Sequence, residues 1–115
     1  THLDLQDLKI GEAGCRSLAR IERLVELRVT GCPIGDEAVK ALAGCKHLEL
    51  LNLNRTQVSD AGLAALHGHK SLRIIYVETT NASTGAVSKL ISALPECRVV
   101  SGVDIGLPEP GKNRR

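Results

Sequence analysis

The chain has 115 residues, enough for one domain, and a formal net charge of only +2. That charge gives no electrostatic footprint for nucleic acid, no stretch reaches the length of a membrane span, and the N-terminus carries no secretory signal pattern. Trp, Phe and Met are absent and Tyr76 is the single aromatic residue, which argues against one globular core and leaves Leu, Val, Ile, Ala and Cys to fill thin, similar layers.

Read in steps of 24 from Leu3, the chain repeats itself four times without an insertion. The first copy opens with Leu3 and Leu5 as a strand, turns at Leu8-Lys9-Ile10 and continues through Cys15 and Leu18 as a helical face. In the second, Leu27-Arg28-Val29 alternates apolar and polar as a half-buried strand does. Ile34 follows, then Gly35-Asp36 as helix N-cap or first-turn acid. Val39 and Leu42 lie on the helical face, and Gly44 sits where a left-handed C-terminal cap is expected. The third copy repeats this as Leu51-Asn52-Leu53, Val58, Ser59-Asp60, Leu63, Leu66 and Gly68. The fourth gives Ile75, Val77, Ala82, Ser83-Thr84, Val87 and Leu90. Val99 then falls in phase with the strand column, so Cys97 to Val103 should add a partial fifth strand. Residues 1–103 form the repeat domain, and 104–115 are expected to be a polar, disordered tail.

Each copy thus predicts strand, tight bend, short helix and return loop. One such unit cannot bury its own apolar face. Stacked copies place the strands in a parallel sheet at roughly 4.8 Å spacing, with helices opposite and the aliphatic columns as a shared interior. The fold class is α/β, a right-handed solenoid with a parallel sheet on the concave side and short helices on the convex side. The first copy lacks an opening Leu, and natural solenoids protect their ends with capping units. The native polypeptide is therefore expected to continue upstream with more repeats or another domain.

The segments Leu24-x-x-Leu27-x-Val29-x-x-Cys32-x-Ile34 and Leu48-x-x-Leu51-x-Leu53-x-x-Thr56-x-Val58 resemble the leucine-rich repeat signature. Leu72-x-x-Ile75-x-Val77-x-x-Thr80-x-Ala82 is a slightly degraded third example. Ser59-Asp60-Ala61-Gly62-Leu63 resembles the helical half of cysteine-containing and bacterial leucine-rich repeats, and Leu94-Pro95-Glu96-Cys97-Arg98-Val99 the close of bacterial arrays. The resemblance implies a solenoid of the ribonuclease-inhibitor kind and, in general, binding of proteins or peptides. One departure is Leu8, where the family carries Asn or Cys in the bend. It suggests a loosened or irregular first bend.

Four cysteines invite a metal or disulfide. Cys15 and Cys45 share columns with small or aliphatic residues, and Cys32 shares one with Thr56 and Thr80, where a small polar group satisfies backbone in the bend. Structural free thiols are the expectation, which favours a reducing, cytoplasmic setting. A rival is a zinc site from Cys45, His47, His67 and His69, since Cys45 and His69 stack on neighbouring coils, but the spacing matches no zinc motif. No catalytic or phosphate-binding motif is present, so no enzyme activity and no cofactor are expected.

Outward-pointing strand residues form three rows: His2, Glu26, Leu50, Ile74; Asp4, Arg28, Asn52, Tyr76; and Gln6, Thr30, Asn54, Glu78. Polar rows of this kind are usually a solvated sheet face. Leu50, Ile74 and Tyr76 differ, because alternation points all three outward side by side, and exposed apolar groups beside an aromatic suggest a contact site. Arg28, Asn52, Asn54 and Glu78 would supply the polar rim. The expected function is a protein-interaction module. The alternative is the scaffold or substrate-recognition part of a multidomain enzyme, since cysteine-containing repeats resemble those following F-box segments in ubiquitin-ligase receptors. Nothing in this chain resembles an F-box.

Overall fold

A computed structural model of the chain describes residues 1–102; Val103 and the tail expected over 104–115 lie outside the described residues. Strands and helices alternate as β1 (His2–Asp4), α1 (Glu12–Leu18), β2 (Glu26–Arg28), α2 (Asp36–Leu42), β3 (Leu50–Asn52), α3 (Asp60–Ala65), β4 (Ile74–Tyr76), α4 (Thr84–Ala93) and β5 (Arg98–Val100). The five strands form one parallel sheet in sequence order. Its register keeps the period, pairing Leu3 with Leu27, Leu27 with Leu51, Leu51 with Ile75 and Ile75 with Val99. The helices pack on one another in the same order, α1 on α2, α2 on α3 and α3 on α4. This is the α/β solenoid that the 24-residue phase demands.

The aliphatic columns meet in one core. Leu27, Leu51 and Ile75 are wholly buried, as are Val29 with Leu53 and Leu24 with Leu48. Each such Leu contributes roughly 1.5–3 kcal/mol by leaving water. Leu3, Leu5, Ile10 and Leu18 pack against that core but stay half-buried, because they belong to the first coil and have a described neighbour on one side only.

The bends carry a second periodicity that the aliphatic pattern does not reveal. Asp7, Gly31, Arg55 and Thr79 all adopt the left-handed conformation, with φ of 62°, 75°, 58° and 57°. Three are not glycine, and at Asp7 and Arg55 the neighbouring coil holds the bend in place. The N–H of Asp7 donates to Thr30 O at 2.7 Å, that of Gly31 to Asn54 O at 2.9 Å and that of Arg55 to Glu78 O at 2.9 Å. Above Gly31, Arg55 Nη2 reaches across to Asp7 Oδ1 at 3.2 Å.

Two expectations about turns are corrected. Gly44 and Gly68 are not left-handed caps; positive-φ glycines among the described residues are Gly31 and Gly102. Helices α2 and α3 end instead on Ala43 and Leu66 in right-handed conformation, their N–H groups still bonded back into the helix. The first bend is not loosened either. Leu8 N–H donates to Leu5 O at 3.1 Å and Asp7 keeps the common φ; the missing polar group merely leaves the Leu8 side chain 50% exposed.

Asp36 and Asp60 do more than occupy a first helical turn. Asp36 Oδ1 accepts from Ser59 N at 2.7 Å and its Oδ2 from Ser59 Oγ at 2.5 Å. Asp60 repeats the clasp on Ser83 at 2.7 and 2.9 Å. Each carboxylate therefore ties the start of its helix to the start of the next. Gly62 leaves room for this, since a Cβ there would lie 2.5 Å from Asp36 Oδ1. Of the helix N-caps among the described residues, only Ser83 also caps its own helix through its side chain, accepting from Ala86 N at 3.1 Å.

Candidate functional site

The sheet face away from the helices is built from three-residue strands in register, so its side chains form straight rows. The strand pairings place Glu26 beside Leu50, Leu50 beside Ile74, and Ile74 beside Arg98. The next row runs Asp4, Arg28, Asn52, Tyr76 and Val100. Leu50, Ile74 and Tyr76 are therefore neighbours. They are half-buried rather than exposed, because adjacent side chains in a parallel sheet shield one another. Arg98 and Val100 complete the two rows, one exposed and the other 5% exposed. Sequence reasoning left them out of the rows, although the phase of Val99 already carried the signal.

The polar members are engaged to different degrees. Glu26 sits between His2 Nε2 at 3.4 Å and Arg28 Nη2 at 3.7 Å, so the positive charge of Arg28 is already balanced locally. Asn52 and Asn54 use their side-chain oxygens to hold backbone: Asn52 Oδ1 accepts from Asn54 N at 3.0 Å, and Asn54 Oδ1 from Glu78 N at 2.6 Å. These bonds fix both amides at the strand ends and direct their NH2 groups elsewhere. Thr30 does not belong to a solvated row. It is 7% exposed, and its Oγ1 has no partner among the described residues.

The zinc candidates are placed otherwise. His69 is 7% exposed and its Nε2 lies 2.7 Å from Cys45 O. A carbonyl only accepts, so Nε2 carries the proton and donates, pinning the ring between coils. Cys45 Sγ contacts Ala19 O at 3.8 Å, while His47 is exposed. Among the described residues no three His, Cys, Asp or Glu side chains gather closely enough to hold a metal ion.

All four cysteines are free and buried. Burial pushes the Cys15 and Cys97 thiols up to about 11 and raises Cys32 and Cys45 as well, so none is an activated nucleophile. Cys32, Thr56 and Thr80 share the bend position, and all bond a carbonyl there: Leu5 O at 3.2 Å, Leu53 O at 2.7 Å and Val77 O at 3.2 Å. A hollow of about 490 Å³ opens at the return loops, lined by Lys46, His69, Lys70, Ser71 and Arg73 among others. It lies beside the helix ends and away from the sheet rows.

Short helices and a parallel sheet repeated on one register define an α/β repeat solenoid. A family model described as Leucine Rich repeat matches residues 24–43 and 44–66, two successive coils at the centre of the array. Residues 24–66 are leucine-rich repeats, and the strand register carries the same repeat through the rest of the described sheet. No curated protein matches it. Repeats of this family are, in general, modules for protein interaction. No helix among the described residues is long and apolar enough to cross a membrane.

Proposed function

We propose that the chain binds a protein or peptide on its concave sheet face. Leu50, Ile74 and Tyr76 form the apolar centre of this site, with Arg28, Asn52, Asn54 and Glu78 as its polar rim. The observation that carries it is the register, which sets Leu50 beside Ile74 and Asn52 beside Tyr76 on one face. Half-buried aliphatic groups next to an aromatic give up little side-chain entropy on binding and still have apolar area to lose. The local pairing of Glu26 with Arg28 makes Arg28 the weakest contributor of the rim, because a partner would compete with an existing contact.

The test is affinity capture with three immobilised proteins: wild type, Leu50→Ala with Tyr76→Ala, and Lys40→Ala on the convex side. A partner should be held by the wild type and the convex variant. It should be weakened about thirtyfold by the double variant, the size expected when central anchors are truncated. Circular dichroism checks that the double variant keeps its helices. Equal retention by all three proteins removes this face from the interaction.

A further inference from the structure

We propose that the face selects one kind of segment: extended, apolar in the middle and oppositely charged at its two ends, with the carboxylate seated at Arg98 and the cation at Glu78. This rests on the concave-face reading and adds a charge rule to it.

The two halves of the face are electrostatically unlike. Toward the N-terminal strands, Glu26 is shared between His2 and Arg28, and at the bends Asp7 is bound by Arg55. These charges neutralise one another at short range, which leaves Asp4 as the exposed acid of that half with no ion pair among the described residues. Toward the C-terminal strands the described residues form no such ion pair. Arg98 is exposed, stands next to Ile74 in its row, and has no ion-pair partner among the described residues. The Glu78 carboxylate is also without a cation there. Its N–H is held by Asn54 Oδ1, and its stem lies against Gly102, where a Cβ would approach Cγ to 2.9 Å. The unpaired cation and the unpaired anion thus flank Ile74 and Tyr76 from opposite ends. Unbalanced rim charges choose among partners, while the apolar centre supplies affinity.

The geometry sets the spacing. Arg98 shares the row of Ile74, and Glu78 lies four residues further along the chain, two past the end of β4, so the rows are at most about 13 Å apart at the rise of a strand. An extended peptide covers the same distance in about four residues. The favoured segment therefore has an acid and a base four positions apart, separated by three apolar residues. It can lie in either chain direction, so the opposition of the charges matters and their order does not.

Three blocked synthetic peptides test this by amide shifts of 15N-labelled protein: Glu-Val-Leu-Val-Lys, Glu-Val-Leu-Val-Glu and Lys-Val-Leu-Val-Lys. The mixed peptide should shift Leu50, Ile74 and Tyr76 at roughly threefold to tenfold lower concentration than either like-charged one, the range for one or two exposed ion pairs. Arg98→Glu should move the preference to the Lys-Lys peptide, and Glu78→Lys to the Glu-Glu peptide. If all three peptides shift the face equally, and the two variants do not re-rank them, the charge rule is overturned while the concave-face reading stands. If no peptide perturbs the face, or the shifts map to the helices, both fall.

Discussion

Replacing Gly31 with alanine isolates what the bends contribute. Gly31 sits at φ 75°, where an L-residue costs roughly 1–2 kcal/mol. A Cβ at this site would collide with the Asp7 carboxylate and lie 3.5 Å from Arg55 Nη2, so the Asp7–Arg55 contact spanning the bend must open. That pair is about half exposed, 52% and 55%, and after solvent screening is worth roughly 0.2–1 kcal/mol. Gly31→Ala should therefore cost about 1–3 kcal/mol, part of it offset by the stiffer unfolded chain. Urea denaturation of wild type, Gly31→Ala, Asp7→Gly and the double variant separates the two contributions. Asp7→Gly removes the carboxylate without straining the bend, because glycine tolerates the φ of 62° held by Asp7. In that background the alanine should cost only the conformational part. An equal cost in both backgrounds would show that the carboxylate does not crowd the site, and no cost in either would refute the left-handed bend.

Thr79 holds the same conformation, φ 57°, with a β-branched side chain, so Thr79→Asn should raise the urea midpoint by about 1 kcal/mol equivalent; a lowered midpoint would mean that Thr79 makes contacts outweighing its strain. Ser83→Ala removes both the cap of α4 and a donor to Asp60, and should destabilise by about 0.5–2 kcal/mol on account of the cap. The Ser83 N–H and hydroxyl hold the Asp60 carboxyl below its ordinary range. Its contribution is therefore present above the ordinary aspartate value and lost as pH falls through the lower folded value. Acid titration of stability should flatten in Asp60→Asn, and an unchanged acid limb refutes the clasp. The buried thiols behave oppositely. Ionisation of Cys15 and Cys97 is pushed from 9.0 up to about 11 in the folded chain, so stability should fall as pH rises across that interval. Iodoacetamide at pH 8 should leave Cys15, Cys32, Cys45 and Cys97 intact until urea is added, and rapid labelling of any of them in the folded protein would contradict its burial.

What the sequence disclosed is what repeats in residue type. Leu27, Leu51 and Ile75 announce their shared layer because a buried strand position accepts only aliphatic groups, and the same phase located β5 through Val99. The left-handed bends stayed hidden for the converse reason. Asp7, Arg55 and Thr79 have nothing in common chemically, and at Asp7 and Arg55 the conformation is held by a hydrogen bond across coils rather than by local preference. Gly44 and Gly68 misled because a glycine after a helix is ordinarily read as its left-handed cap, whereas these helices close on a right-handed turn. The site was half legible for a related reason. Alternation named Leu50, Ile74 and Tyr76, but it could not tell that Arg28 already leans on Glu26, or that Thr30 is buried.

That asymmetry between layers and links decides where this solenoid is open to change. Any aliphatic residue of fitting volume continues a column, so the interior constrains the sequence only in hydrophobic pattern. The clasps of Asp36 on Ser59 and Asp60 on Ser83 demand particular pairs one period apart. The first coil presents Glu12 to Gly35, which has no hydroxyl to offer, and Glu12 Oε1 is left buried without a partner among the described residues. The junction between the first two coils therefore lacks the polar tie that the next two possess, although it keeps the same strand register. Unfolding should begin there: the amides of β1 and α1 should exchange with solvent before those of β3 and α3, because a linear array opens first at its weakest junction.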